Sequence, residues 1–278
     1  METCLVFLPL IKLRWVTKYI FQSGVGAFSN CGFSHHRSVL PDRNEAPKSA
    51  PQHVPTVVQN AKKKVEMTLE IQKFWDRQAK RYDQAEKQFA TVYSDIIAKT
   101  CKYLNLKDNV LDYGCATGSK TIELAEKVKQ IHGLDISSEM ISEAIKKKNE
   151  LKISNISFTQ GTIFDSDLEK NSFDTIIAYG IIHLLEDNQK VIQRIHELLK
   201  QGGLFISTTA CMKDKMAIKT RIKVTLYILM KRLGIFPLHL NMFKSSDIEN
   251  IIMAQNFKLI ESEKIKDEIP AIFIIARK

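Results

Sequence analysis

C-terminal to Met67, apolar and polar positions recur with a period that switches from segment to segment. Residues 68–104 are helix-forming and largely free of Gly and Pro, with Phe89, Val92, Ile96 and Ile97 as an apolar stripe at helical spacing. Short apolar runs then alternate with helical segments. The predicted strands are Asn109–Tyr113, Gln130–Asp135, Ile156–Thr159, Phe173–Tyr179 and Gly203–Thr209. The helices between them are Lys120–Lys127, Ser138 to about Asn149, and Gln189–Lys200, the last stopped by Gly202–Gly203. Phe173–Tyr179 is apolar almost throughout, as a strand buried on both faces must be. This βαβα order predicts a parallel sheet with helices on both faces. Asn256–Ser262 and Ala271–Ala276 are separated by a short polar turn and should pair antiparallel. The expected architecture is therefore α/β: a doubly wound, mostly parallel sheet of about seven strands with a C-terminal antiparallel hairpin.

Residues 1–66 follow no such pattern and are set apart from a domain spanning 67–278. An apolar start with Lys12, Arg14 and Lys18 is followed by a Ser/His/Pro-rich stretch from Ser34 to Pro55, which cannot bury enough apolar surface to offset its ordering entropy. Three readings stay open: an organellar presequence, a secretory signal, or an extension of no structural consequence. Lys12 lies on the opposite helical face from Arg14 and Lys18, and only Glu2 stands where a secretory signal wants positive charge. The protein would be mitochondrial on the first reading and cytoplasmic on the last.

The 278 residues are 44% hydrophobic and 26% charged, a globular balance long enough to bury a core. The net charge is +10, but residues 1–66 hold nine Lys/Arg against four Asp/Glu and so supply half of it. What remains is a modest excess, read as a solvated surface rather than a nucleic-acid footprint. The five cysteines include no CxxC pair, so neither a disulfide framework nor a zinc site is supported and no metal site is assigned.

The chemistry is concentrated in NVLDYGCATGSKTIELA, residues 109–125, where a buried strand runs through a glycine turn into a helix. Ligands of open α/β sheets bind at such strand ends. A phosphate-cradling G-x-x-x-x-G-K-[ST] loop fails because Ser119 stands where the glycine before Lys120 is needed. A dinucleotide G-x-G-x-x-G fails because Gly118 comes one position early. VLDYGCATG instead resembles the first motif of the class I S-adenosylmethionine-dependent methyltransferases, with Ala116 replacing the middle glycine of that family.

Further segments extend the resemblance over roughly residues 70–278. Asp135 ends the second strand, where an acid can accept from both ribose hydroxyls; its other reading is a cap for the next helix, a task Ser137 or Ser138 also suits. SFTQGTIFD resembles the adenine-side motif, with Thr162 where the family often has an acid and Asp165 three positions later. FDTIIAYGIIHLLED resembles the segment after the fourth strand, and LLKQGGLFISTT the entry to the fifth. The resemblance implies a Rossmann-like methyltransferase fold, S-adenosyl-L-methionine as cofactor, and contacts to it from Asp112, Gly114, Cys115, Ala116, Gly118, Asp135, Ile136, Thr162, Ile163 and Tyr179. It also implies an N-terminal lid over residues 67–104, containing Trp75, Arg81 and Tyr82.

Methyl transfer to such a donor needs mainly alignment of the two reactants. Where the acceptor must lose a proton, His183 is the candidate catalytic base, because an unperturbed imidazole titrates near neutrality; its other reading is a packed residue under the cofactor. The resemblance is to small-molecule enzymes of the ubiquinone/menaquinone type. The chain lacks an Asn/Asp-Pro-Pro-aromatic motif after the fourth strand, which argues against a nucleic-acid acceptor. Residues 210–245 are an insert before the hairpin, expected to cap the substrate. Within 213–232, Lys213, Lys215, Lys219, Arg221, Lys223, Lys231 and Arg232 flank an apolar centre, compatible with a packed cap helix or with peripheral membrane contact and a lipid-like or quinone-like acceptor. A domain that binds the cofactor without turning it over, as an assembly partner, is the competing class.

Overall fold

The computed structural model describes the backbone of residues 56–233 and 238–278, and side chains from Val65 onward. The leader readings of residues 1–55 therefore lie outside the described residues, as does 234–237 of the cap.

Seven strands form one sheet in the order β3-β2-β1-β4-β5-β7-β6. They are β1 (Asn109–Tyr113), β2 (Gln130–Asp135), β3 (Ile156–Gln160), β4 (Phe173–Tyr179), β5 (Leu199–Ala210), β6 (Lys258–Ile265) and β7 (Ala271–Arg277). The first five are parallel, and β7 inserts antiparallel between β5 and β6. The helices are α1 (Thr56–Glu86), α2 (Ala90–Cys101), α3 (Ser119–Leu124), α4 (Ser138–Glu150), α5 (Asn188–Leu198), α6 (Ile218–Arg232) and α7 (Ser245–Met253). The doubly wound expectation is met, with its hairpin.

Alternation along the central strands divides the core. Leu111, Ile176 and Ala178 face α5 and α7, packing on Val191, Ile192, Ile195 and Ile248. Val110, Ile177 and Ile206 face the other way, onto Ile96 and Ile97 of α2 and Leu124. A side-chain period of two makes each strand fill both layers, so β4 carries no polar residue beyond Thr175 in its buried part.

Two expectations are corrected. The domain boundary at 67 falls inside α1, because a helix crosses that position without a break in backbone. Gly202–Gly203 does not cap α5: Leu199 already turns extended (φ −70°, ψ 139°), and the glycines form an irregularity within β5. Gly202 takes φ +80°, and a Cβ on Gly203 would stand 2.9 Å from the Asp174 carbonyl, so the strand passes there only without a side chain.

Candidate active site

The strand order reverses between β1 and β4, and the glycine turn rises from the carboxyl end of β1 at that switch point. Gly114 (φ +79°) and Gly118 (φ +73°) take left-handed conformations. The N–H groups of Gly114 and Cys115 both donate to the Leu134 carbonyl, at 2.7 and 3.2 Å, strapping the turn to β2. A Cβ on Gly118 would lie 2.6 Å from the Phe158 ring and 2.9 Å from Ala144, so glycine is required twice over. Ala116 also has positive φ, +49°, where the family's glycine would sit unstrained. Its methyl is buried against Ala79 and Met140, and its N–H donates to Asp135 Oδ2 at 3.0 Å.

Asp112 and Asp135 end neighbouring strands at one sheet edge, with Asp112 paired in register to Gly133. They are not equivalent. Asp112 is buried beneath the turn, accepting from the Thr121 hydroxyl at 2.6 Å, so any influence on a ligand would run through its charge rather than by contact. Burial pushes its carboxyl up to about 6, against the opposing Thr121 hydrogen bond and nearby Lys120. Asp135 accepts from Ala116 N–H and, at 2.9 Å, from Ser137 N–H. It too is raised to about 6 by burial, with those hydrogen bonds opposing and the Asp76 charge adding to the rise. A carboxylate has about four acceptor positions, so Asp135 retains capacity to accept from a ribose hydroxyl. Two buried acids that resist ionisation would be relieved by a cationic ligand. The cap of α4 falls to Ser137, whose hydroxyl accepts from Met140 N–H at 3.1 Å, leaving Asp135 free of that task.

Helix α1 closes over the turn. Asp76 accepts from the Ser137 hydroxyl at 2.6 Å and from Glu139 N–H at 3.2 Å. Asp83 accepts from the Thr117 hydroxyl and pairs with Lys147 at 2.6 Å, while Glu86 pairs with Lys120. Burial opposes the charge on Asp83, but hydrogen bonds from Lys147 and Thr117 outweigh it and hold its carboxyl below the usual range. Trp75 and Tyr82 meet edge to face at 6.4 Å and pack beside Ala79. Sequence reading found this lid by its aromatics and missed its carboxylates. Their spacing of seven and then three residues, on one helical face, was the available signal.

The remaining predicted residues are placed as follows. Cys115 is buried, its thiol donating to the Ala116 carbonyl at 3.7 Å and pushed up by burial, so it is an inert wall. Ile136 follows Asp135, and its carbonyl accepts from Gln160 Nε2 at 3.2 Å. Thr162 donates from both N–H and hydroxyl to Asp165, at 3.0 and 2.7 Å. The side chain of Ile163 belongs to the core, so only its backbone could meet an adenine. Tyr179 is drawn to the α2 side, where its hydroxyl bonds Thr100. It anchors α2. His183 is fully buried, and burial lowers its imidazole to about 3. The expectation of a near-neutral base is corrected: desolvation keeps this ring neutral across the physiological range.

Beyond β4 lies a narrow cleft that opens to solvent. Val92, Tyr93 and Ile96 of α2 form one wall, Thr208 and Thr209 its floor, and Ile265, Asp267 and Ile269 of the hairpin the other wall. Thr208 Oγ1 accepts from Gly180 N–H at 3.1 Å, whereas the buried hydroxyl of Thr209 has no hydrogen-bond partner among the described residues. Tyr93 joins the cleft to α3, since Lys120 sits 4.0 Å above its ring.

The profile of the family described as "Methyltransferase domain" matches residues 104–227. Over those residues the chain is similar to the class I S-adenosylmethionine-dependent methyltransferases. Among curated relatives, a demethylmenaquinone methyltransferase of Oceanobacillus iheyensis is 33% identical over 110 residues, 37% of this chain and 46% of that protein. The match thus spans about half of that relative's length. The solved YcgJ protein of Bacillus subtilis superposes with TM-score 0.55 at 18% identity, over 66% of this chain and 98% of its own. The [4+2]-cyclase SpnF superposes with TM-score 0.56 at 16% identity, over 69% of this chain and 81% of its own. These structures share the fold. In this methyltransferase domain, the turn, Asp135 and the α1 lid fit a nucleoside bearing positive charge.

Proposed function

We propose that this chain transfers a methyl group from S-adenosyl-L-methionine to a small, largely apolar acceptor carrying a single polar group. When bound, the cofactor supplies an electrophilic methyl on a positive sulfur. Asp135 would hold the ribose hydroxyls, and Asp112, ionised by the nearby cation, would stabilise the bound charge from below. The α1 lid excludes water and fixes the ligand against the turn. Orientation is then the chain's main contribution, because proximity alone is worth several kcal/mol of the barrier.

The observation that carries this reading is the largely apolar cleft, whose polar side chains are Tyr93, Thr208, Thr209 and Asp267, with the Thr209 hydroxyl lacking a hydrogen-bond partner among the described residues. Thr209 orients the acceptor's polar group, since a buried hydroxyl without a partner favours a ligand that supplies one. Asp267, not His183, is the side chain positioned to take a proton. The relative named for demethylmenaquinone supports an apolar acceptor of quinone-like character. The test is incubation of the full chain with tritiated-methyl cofactor and cell extract, followed by partition. Label in the organic phase, lost on Asp267→Asn, is expected; label confined to acid-insoluble protein or RNA refutes the reading.

A second reading is a domain that binds the cofactor without methyl transfer. The likeness to SpnF favours it, because that protein of the same fold is described as a [4+2]-cyclase. Calorimetric binding of the cofactor with no label transfer to any fraction would select it.

A further inference from the structure

Helix α6 presents apolar residues on two separate faces. Val224, Tyr227 and Met230 are buried, with Val224 packed on Ala210 and Ile269. Ile218, Ile222, Leu226, Leu229 and Leu233 lie on the outer side and are 37–75% exposed. At about 100° per residue those five fall within an arc of about 80°, a single stripe along a helix some 22 Å long. Lys219 flanks one margin of the stripe, and Arg221 and Arg232 the other. All three are exposed, and among the described residues no carboxylate pairs with them. No acidic residue occurs from Ile218 to Arg232. Lys223 is different: it bridges to Glu268 at 3.1 Å and belongs to the packed side.

We infer that the outer face of α6 docks the protein onto an anionic lipid surface. An apolar stripe bordered on both margins by exposed cations matches the boundary between acyl chains and acidic headgroups. A second copy of the chain fits poorly, because stripe-to-stripe packing would bring two sets of arginines and lysines together. The helix lies in the interface rather than crossing it: among the described residues no helix is long and apolar enough to span a membrane. Its inner face contacts Ala210 and Ile269, which also line the cleft, so docking brings the cleft's hairpin wall beside the bilayer. The docking does not rest on the methyl-transfer reading; only delivery of an apolar acceptor does.

The test is flotation of the full chain with vesicles of phosphatidylcholine alone or mixed with phosphatidylglycerol. Binding to the mixed vesicles only, weakened by salt, is expected. The paired change Ile222→Ser with Leu229→Ser should weaken binding about tenfold. Arg221→Glu with Arg232→Glu should weaken it about thirtyfold or more. Both sets are solvent-facing, so an unchanged thermal melt certifies the fold. Failure of the wild type to float overturns the inference. So do variants that float as well as wild type, which would assign the binding to another segment. A wild-type dimer in light scattering that the serine variant dissociates, without vesicle binding, assigns the stripe to a second copy instead.

Discussion

Asp112→Asn exchanges a buried carboxylate for an amide of nearly the same shape, and its effect on stability depends on pH in a direction the structure dictates. Asp112 is almost fully buried, and burial lifts its carboxyl from 3.8 to about 6. Between those values the folded chain holds a proton that the unfolded chain has released. Stability from this group is therefore greatest below about pH 4 and is lost as pH rises to about 6, by about 3 kcal/mol in all. Asparagine does not titrate, and its carbonyl can still accept from Thr121. Relative to wild type, the variant should gain stability steadily over that interval, with about 3 kcal/mol as the upper bound at neutral pH. Urea unfolding of both proteins from about pH 4 to pH 8 measures the difference, and subtraction removes groups common to both. The cofactor supplies a second arm: its positive charge favours the ionised carboxylate, so it should stabilise wild type more than the variant. A difference in unfolding free energy that stays constant with pH would refute the reasoning, because Asp112 would then titrate like an exposed acid.

Other perturbations probe the turn, the lid and the buried imidazole. Gly118→Ala forces a methyl to within 2.6 Å of Phe158 at φ +73°, so unfolding should show a loss of about 2 kcal/mol or more, together with loss of cofactor binding in calorimetry. Asp83→Asn removes the charge paired with Lys147; because that pair is part-exposed, global stability should change by at most about 1 kcal/mol, while limited proteolysis within α1 accelerates and KM for the cofactor rises. The lowered carboxyl of Asp83 gives the lid a stability that is present above its ordinary range and lost as pH falls through its folded value, so wild-type α1 should become protease-sensitive in acid and the variant should not change further. His183→Ala should cost about 2–4 kcal/mol by leaving a cavity, yet leave any acid limb of the rate profile near pH 6.5 in place, since the imidazole is already lowered to about 3. A limb that vanishes in that variant would restore His183 as the base.

The alternation of apolar runs and helical segments determined, without any coordinates, that β1 to β5 would be parallel and that the chain would close with a hairpin. Strand Phe173–Tyr179 was legible to the residue, because an apolar run bounded by polar turns has no other stable placement in a sheet. The glycine turn was legible too, since left-handed backbone at two positions demands glycine locally. Where local chemistry permits two uses, pattern could not choose: Gly202–Gly203 suits a helix end as well as a strand irregularity, and only the pairing of β5 with β4 decided it. Burial was likewise a tertiary decision. Nothing beside His183 in the chain announces that it is fully enclosed, nor beside Asp112 that its carboxylate turns under the loop toward Thr121. The cleft joins Tyr93, Thr209 and Asp267, and the lid joins Asp83 to Lys147, across separations that no periodicity encodes. Local backbone preference and side-chain period are properties of neighbours along the chain; exposure, pKa and the company a side chain keeps are set by whatever distant segment packs against it.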